Sequence, residues 1–103
     1  RSVQGREGGH LRSTGWKYRV SVYDQQPYTL LMPMGAEVVG IGNDATNDPD
    51  TISFWAIVDT TKATAPRKFV MTGTGHEAPS NANYLGHCVK EIGVVWHLWE
   101  VFG

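Results

Sequence analysis

The stretch Gly73-Thr74-Gly75-His76-Glu77-Ala78 concentrates groups that could meet a ligand. It formally fits G-x-G-x-x-G/A, the dinucleotide fingerprint. That fingerprint works because a helix begins there and turns its N-terminus toward a pyrophosphate. Here Pro79, Ser80, Asn81 and Asn83 follow with no apolar helical period, which excludes a Rossmann site. A Gly-rich loop remains, and its backbone N–H groups can cradle an anion. An ordinary strand-to-loop turn that needs Gly for positive φ accounts for the same residues without a ligand. Just upstream, Arg67 and Lys68 open a strand that runs through Thr72 into the loop. Arg67, Lys68, Thr72, Gly73, Thr74, Gly75 and His76 therefore form a candidate anion-attracting patch, with a solvated strand end as its plain alternative.

The other reactive residue types form no comparable constellation. His87 and Cys88 are neighbours on a strand, so they point to opposite faces and cannot share a metal. No C-x-x-C or H-x-x-x-H spacing occurs; zinc would need ligands gathered from afar, such as His76 and His97, so no metal is expected. His97, between Trp96 and Leu98, reads as a hydrogen-bonded histidine at the core edge or as a ligand-facing donor. Asp44, Asp48 and Asp50 with Asn43 and Asn47 loosely resemble a calcium loop, but Gly at the sixth place and Glu at the twelfth are missing. They read as turn formers. There is no nucleophile elbow and no carboxylate pair placed for hydrolysis. No catalytic residue, cofactor or enzymatic activity is expected.

These residues are carried on strands. Trp16, Tyr18, Val20 and Val22 alternate with Lys17, Arg19 and Ser21, the pattern of a half-buried strand. Further strands are expected over 28–32, 37–41, 54–58, 68–72, 84–92 and 94–102. Phe54 to Val58 is a continuous apolar run, as in a central strand buried on both faces. Phe69 and Met71 should face one way, and Gly93 should sit in a hairpin between the last two strands. Trp55, Trp96 and Trp99 read as core residues rather than stacking platforms. No segment has a 3.6 period. About seven short strands predict an all-β fold, a small sandwich or partly open barrel.

The chain has 103 residues, enough for one domain. Residues 1–15 hold four Gly and no apolar period and read as a flexible N-terminal arm; 16–103 read as the single all-β domain. Five of nine basic groups (Arg1, Arg6, Arg12, Lys17, Arg19) lie in the first 19 residues, against one acid, Glu7. The net charge of −1 gives no overall pull toward nucleic acid or an anionic membrane. No apolar run approaches the roughly 18 residues of a membrane helix. One cysteine, Cys88, excludes an internal disulfide and fits a reducing compartment. Charged residues are only 18% against 11% aromatic, so part of the apolar surface is expected to be covered by another copy of the chain.

Phe54-Trp55-Ala56-Ile57-Val58-Asp59, Gly73-Thr74-Gly75-His76 and Val95-Trp96-His97-Leu98-Trp99-Glu100 occur in order after Met32-Pro33-Met34-Gly35-Ala36-Glu37. In that order they resemble an uncharacterised family of small bacteriophage proteins, from about Lys17 to Val101. The resemblance leads one to expect Pro directly after His76, where this chain has Glu77, with Pro79 two residues on. It implies a phage origin and a place in the infected host's cytoplasm, with no assigned activity. The expectation that follows is a non-enzymatic, oligomeric phage accessory protein. It would sequester a small anionic host ligand, such as a signalling nucleotide, against host defence. The alternatives are a minor virion protein, located in the virion, or a direct protein inhibitor of a host enzyme.

Overall fold

The computed structural model describes residues 13–21, 26–43, 50–90 and 93–102. The described residues form seven strands and no helix: β1 (Ser13–Ser21), β2 (Tyr28–Pro33), β3 (Glu37–Asn43), β4 (Thr51–Asp59), β5 (Thr64–Gly73), β6 (Ala82–Val89) and β7 (Val95–Val101). The chain is all-β, as its alternating apolar pattern predicts. Among the described residues, no helix is long and apolar enough to cross a membrane. β1 begins at Ser13, so the last three residues of the stretch read as an arm belong to a strand. The rest of that stretch, Val22 and the aspartates Asp44 and Asp48 lie outside the described residues.

The strands make two antiparallel sheets, ordered β1-β4-β3 and β2-β5-β7-β6, which pack together without closing into a barrel. Alternation sorts the side chains. Val20, Ile52, Phe54, Ala56 and Val58 of the first sheet meet Tyr28, Met32, Phe69, Met71, Cys88 and Leu98 of the second. Phe54 stacks on Tyr18 at 5.3 Å and tilts against Phe69 at 5.1 Å, so one ring ties both sheets together. Along one side, β3 approaches β6. There the Cys88 thiol donates to Asn43 Oδ1 at 3.2 Å, and Ile41 lies over Gly86.

β4 is central in its sheet but is not buried on both faces. Trp55 is 37% exposed and Ile57 42%. Among the described residues the three-stranded sheet is covered on one side only, and the odd positions of the apolar run face away from the core. The Trp55 ring lies close enough to Gly42 that a Cβ there would come within 3.2 Å of it.

Candidate functional site

The outer face of the four-stranded sheet carries two rows of side chains across β5, β7 and β6. Register sets Thr72 beside His97 and His97 beside His87 in one row, and Val70 beside Trp99 and Trp99 beside Tyr84 in the next. His87 and Tyr84 are three residues apart and would normally lie on opposite faces. A bulge between Tyr84 and Gly86 restores them to the same one.

The turn after β5 closes one end of these rows. The His76 N–H donates to Gly73 O at 3.0 Å, and Gly75, third in that turn, has φ +93°, a conformation that favours glycine. The Gly73 N–H donates to His76 Nδ1 at 3.0 Å, so a neutral His76 ring carries its proton on Nε2. Together these groups line an open cleft of about 380 Å³ bounded by Thr72, the 73–76 turn, Tyr84, His97 and Trp99.

A hydrogen-bond chain runs through it. His97 Nε2 lies 3.1 Å from Thr74 Oγ1, and His97 Nδ1 lies 2.8 Å from the Tyr84 hydroxyl. The same hydroxyl lies 3.4 Å from His87 Nδ1. The Trp99 indole N–H donates to Thr72 Oγ1 at 2.9 Å, and Tyr84 meets Trp99 edge to face at 4.9 Å. The result is an aromatic wall beside a row of imidazole and hydroxyl groups. No Asp, Glu, Lys or Arg is among the described residues that line it.

Of the residues singled out in the sequence, Thr72, Gly73, Thr74, Gly75 and His76 come together here. Arg67 does not. It points to the inner face, where Nε and Nη2 bind Glu100 Oε2 and Oε1, each at 2.7 Å, and Nη1 donates to Ala36 O. The hydrogen bond to Glu100 holds its pKa above the ordinary arginine value despite burial. Its charge is already matched, so it supplies none to the cleft. Lys68 is on the outer face but four residues from Thr72, about 13 Å along the strand. It borders a separate cleft with Pro66, Arg67, Glu100, Val101 and Phe102. Arg67 and Lys68 thus border one cleft away from the 73–76 turn, while alternation sends their side chains to opposite faces.

Three residues join the site from elsewhere. His97 is half-buried, hydrogen-bonded at both ring nitrogens, and lines the cleft. Trp99 belongs to the cleft wall and not to the core, whereas Trp96 packs against the core. Period-two alternation from Val95 to Val101 places His97 and Trp99 on one face, a signal readable in the sequence. Tyr84 had no such signal, because the bulge decides its side. Among the described residues, no group of three or more His, Cys, Asp or Glu is arranged to hold a metal.

A family model described as a domain of unknown function, DUF7352, matches residues 12–102. The chain belongs to that family. No curated protein and no solved structure matches it.

Proposed function

We propose that this member of DUF7352 binds a small anionic ligand with a flat ring, a nucleotide by chemistry, in the His97 cleft, and does not transform it. The observation that carries this reading is His97, held at both ring nitrogens by Thr74 and Tyr84 beside the Trp99 ring. Imidazole and hydroxyl donors suit an anion, and the Tyr84–Trp99 wall offers a face to a base. Thr74, His97 and Tyr84 have the outline of a nucleophile, a base and an orienting group. The third member, however, is a phenol and not a carboxylate. It fixes the ring without supplying the negative charge that stabilises an imidazolium in acyl transfer. That favours binding over catalysis.

The resemblance to small bacteriophage proteins supports setting this binding in an infected cell, where a protein that holds a host signalling nucleotide withholds it from its receptor. A homo-oligomer fits the open face of the three-stranded sheet. Trp55 and Ile57 stand there between Lys17 on β1 and Glu37 on β3. A two-fold axis parallel to the strands would set β1 of one copy over β3 of the other, bringing opposite charges to both flanks of an apolar centre.

Isothermal titration against a panel of cyclic and ADP-ribose-type nucleotides tests the reading. Binding by at least one, weakened tenfold or more by Trp99→Ala, is expected. A folded protein that gives no heat with any of them overturns it.

A further inference from the structure

We infer that an anion enters this cleft together with a proton, which His97 takes up; the inference rests on the binding reading above. A neutral imidazole has one N–H, yet both nitrogens of His97 face a hydroxyl, Thr74 Oγ1 at 3.1 Å and Tyr84 OH at 2.8 Å. One of those hydroxyls must therefore spend its only proton on the bare nitrogen. The tautomer of His87 decides which, because Tyr84 OH also reaches His87 Nδ1 at 3.4 Å. With His87 Nδ1 bare, all three bonds form when His97 Nδ1–H donates to Tyr84, Tyr84 donates to His87, and Thr74 donates to His97 Nε2. In that state Thr74 turns its proton inward and shows only lone pairs to the cleft.

Adding a proton to His97 Nε2 reverses the last bond. The ring now donates to Thr74 Oγ1, and the threonine proton swings outward, free to donate to a ligand oxygen. One protonation thus delivers both a positive charge and a hydroxyl donor to a cleft whose described lining holds no Lys or Arg. By linkage, an anion that binds the charged form better must draw the proton in.

The groups that face His97 are Thr72, Thr74 and His76 from β5 and its turn, Tyr84 and His87 from β6, and Trp99 on β7 itself. Two of these are also imidazoles, His76 and His87, so the assignment to His97 requires separate variants.

The probe is 3′,5′-cyclic AMP, whose phosphodiester keeps one charge between pH 6 and pH 8, with uncharged adenosine as control. Titrations of the full chain in paired buffers of different ionisation heat read the proton count directly. Uptake approaching one proton per nucleotide is expected at the alkaline end, with affinity rising toward tenfold per pH unit lowered, and no uptake with adenosine. His97→Gln, which keeps hydrogen-bonding groups but cannot charge, should bind weakly with a flat pH profile. His76→Gln and His87→Gln should keep the slope. Thr74→Val should lose affinity at pH 6 and little at pH 8, with an unchanged circular dichroism spectrum. Binding with no proton exchange, or a slope that survives His97→Gln, overturns this inference and leaves the binding reading standing. No binding of cyclic AMP or of any nucleotide in the panel overturns both.

Discussion

Arg67 and Glu100 form a two-pronged ion pair on the inner face of the four-stranded sheet, Nε to Oε2 and Nη2 to Oε1 at 2.7 Å each. Their side chains keep 22% and 10% of their exposure, so the pair is largely withdrawn from water. Removing one partner leaves the other desolvated and unmatched. Such losses reach 3–5 kcal/mol in fully buried pairs, so about 2–3 kcal/mol is expected for Glu100→Gln at this partly exposed site. Arg67→Met with Glu100→Leu removes both charges and should cost less than either single change. Urea midpoints of these variants check the ordering. The cleft variants above should leave these midpoints near the parent value.

Tyr18 lies close to this pair, and its hydroxyl is buried with no hydrogen-bond partner among the described residues. Burial raises its pKa above the usual 10.0, with Arg67 pulling the other way. The folded state therefore holds the phenol proton more tightly than the unfolded chain does. The stability linked to that proton is fully present below about pH 10 and is lost as pH rises through the folded value. Tyr18→Phe keeps the stack on Phe54 and removes the unsatisfied oxygen. It should be neutral or stabilising by up to about 1 kcal/mol at pH 7 and should flatten the alkaline fall. Thermal melts at pH 8 and pH 11 measure both effects. A variant clearly less stable than the parent at pH 7 contradicts the assignment of that hydroxyl.

Trp55 tests the proposed pairing of copies. It faces out of β4 beside Gly42, away from the core, so replacing it removes little internal packing. Trp55→Ser should reduce the mass seen by light scattering to the 11.4 kDa of one chain, with a melting temperature close to that of the parent protomer. A parent that already scatters as one chain at micromolar concentration refutes the pairing.

The seven strands were legible from apolar patterning, but β4 reads as a continuous apolar run, Phe54 to Val58, and only the structure shows that Trp55 and Ile57 face out of it. The turn at Gly73–His76 was legible from local letters: two glycines, Gly73 and Gly75, flank Thr74 and precede His76. What the sequence hid was every decision made by pairing. Arg67 and Lys68 look like one basic patch until Glu100, 33 residues away, claims the first. Trp55 and Trp99 look like core until the layers show which faces are covered. The cleft wall depends on Tyr84 and His87 sharing a side, and no periodicity of two or 3.6 residues gives that.

Gly86 is the hinge of that last arrangement. It follows the β6 bulge with φ +146°, where L side chains are rarely found. A Cβ there would come within 3.0 Å of Ile41 Cδ1 on β3. Gly86→Ala therefore meets backbone strain and a packed side chain together, and a loss of about 2 kcal/mol or more is expected. Gly75→Ala isolates the first effect. Its φ is +93° with nothing among the described residues within 4 Å, so only the conformational cost applies, about 1 kcal/mol. The functional consequences should separate as well. Gly86→Ala pushes on the strand that holds Tyr84 and His87 and should weaken nucleotide binding even in molecules that remain folded. Adding Ile41→Val relieves the contact with Cδ1 and should restore part of the stability and part of the binding together. If the double variant regains stability but not affinity, the bulge does not set the cleft.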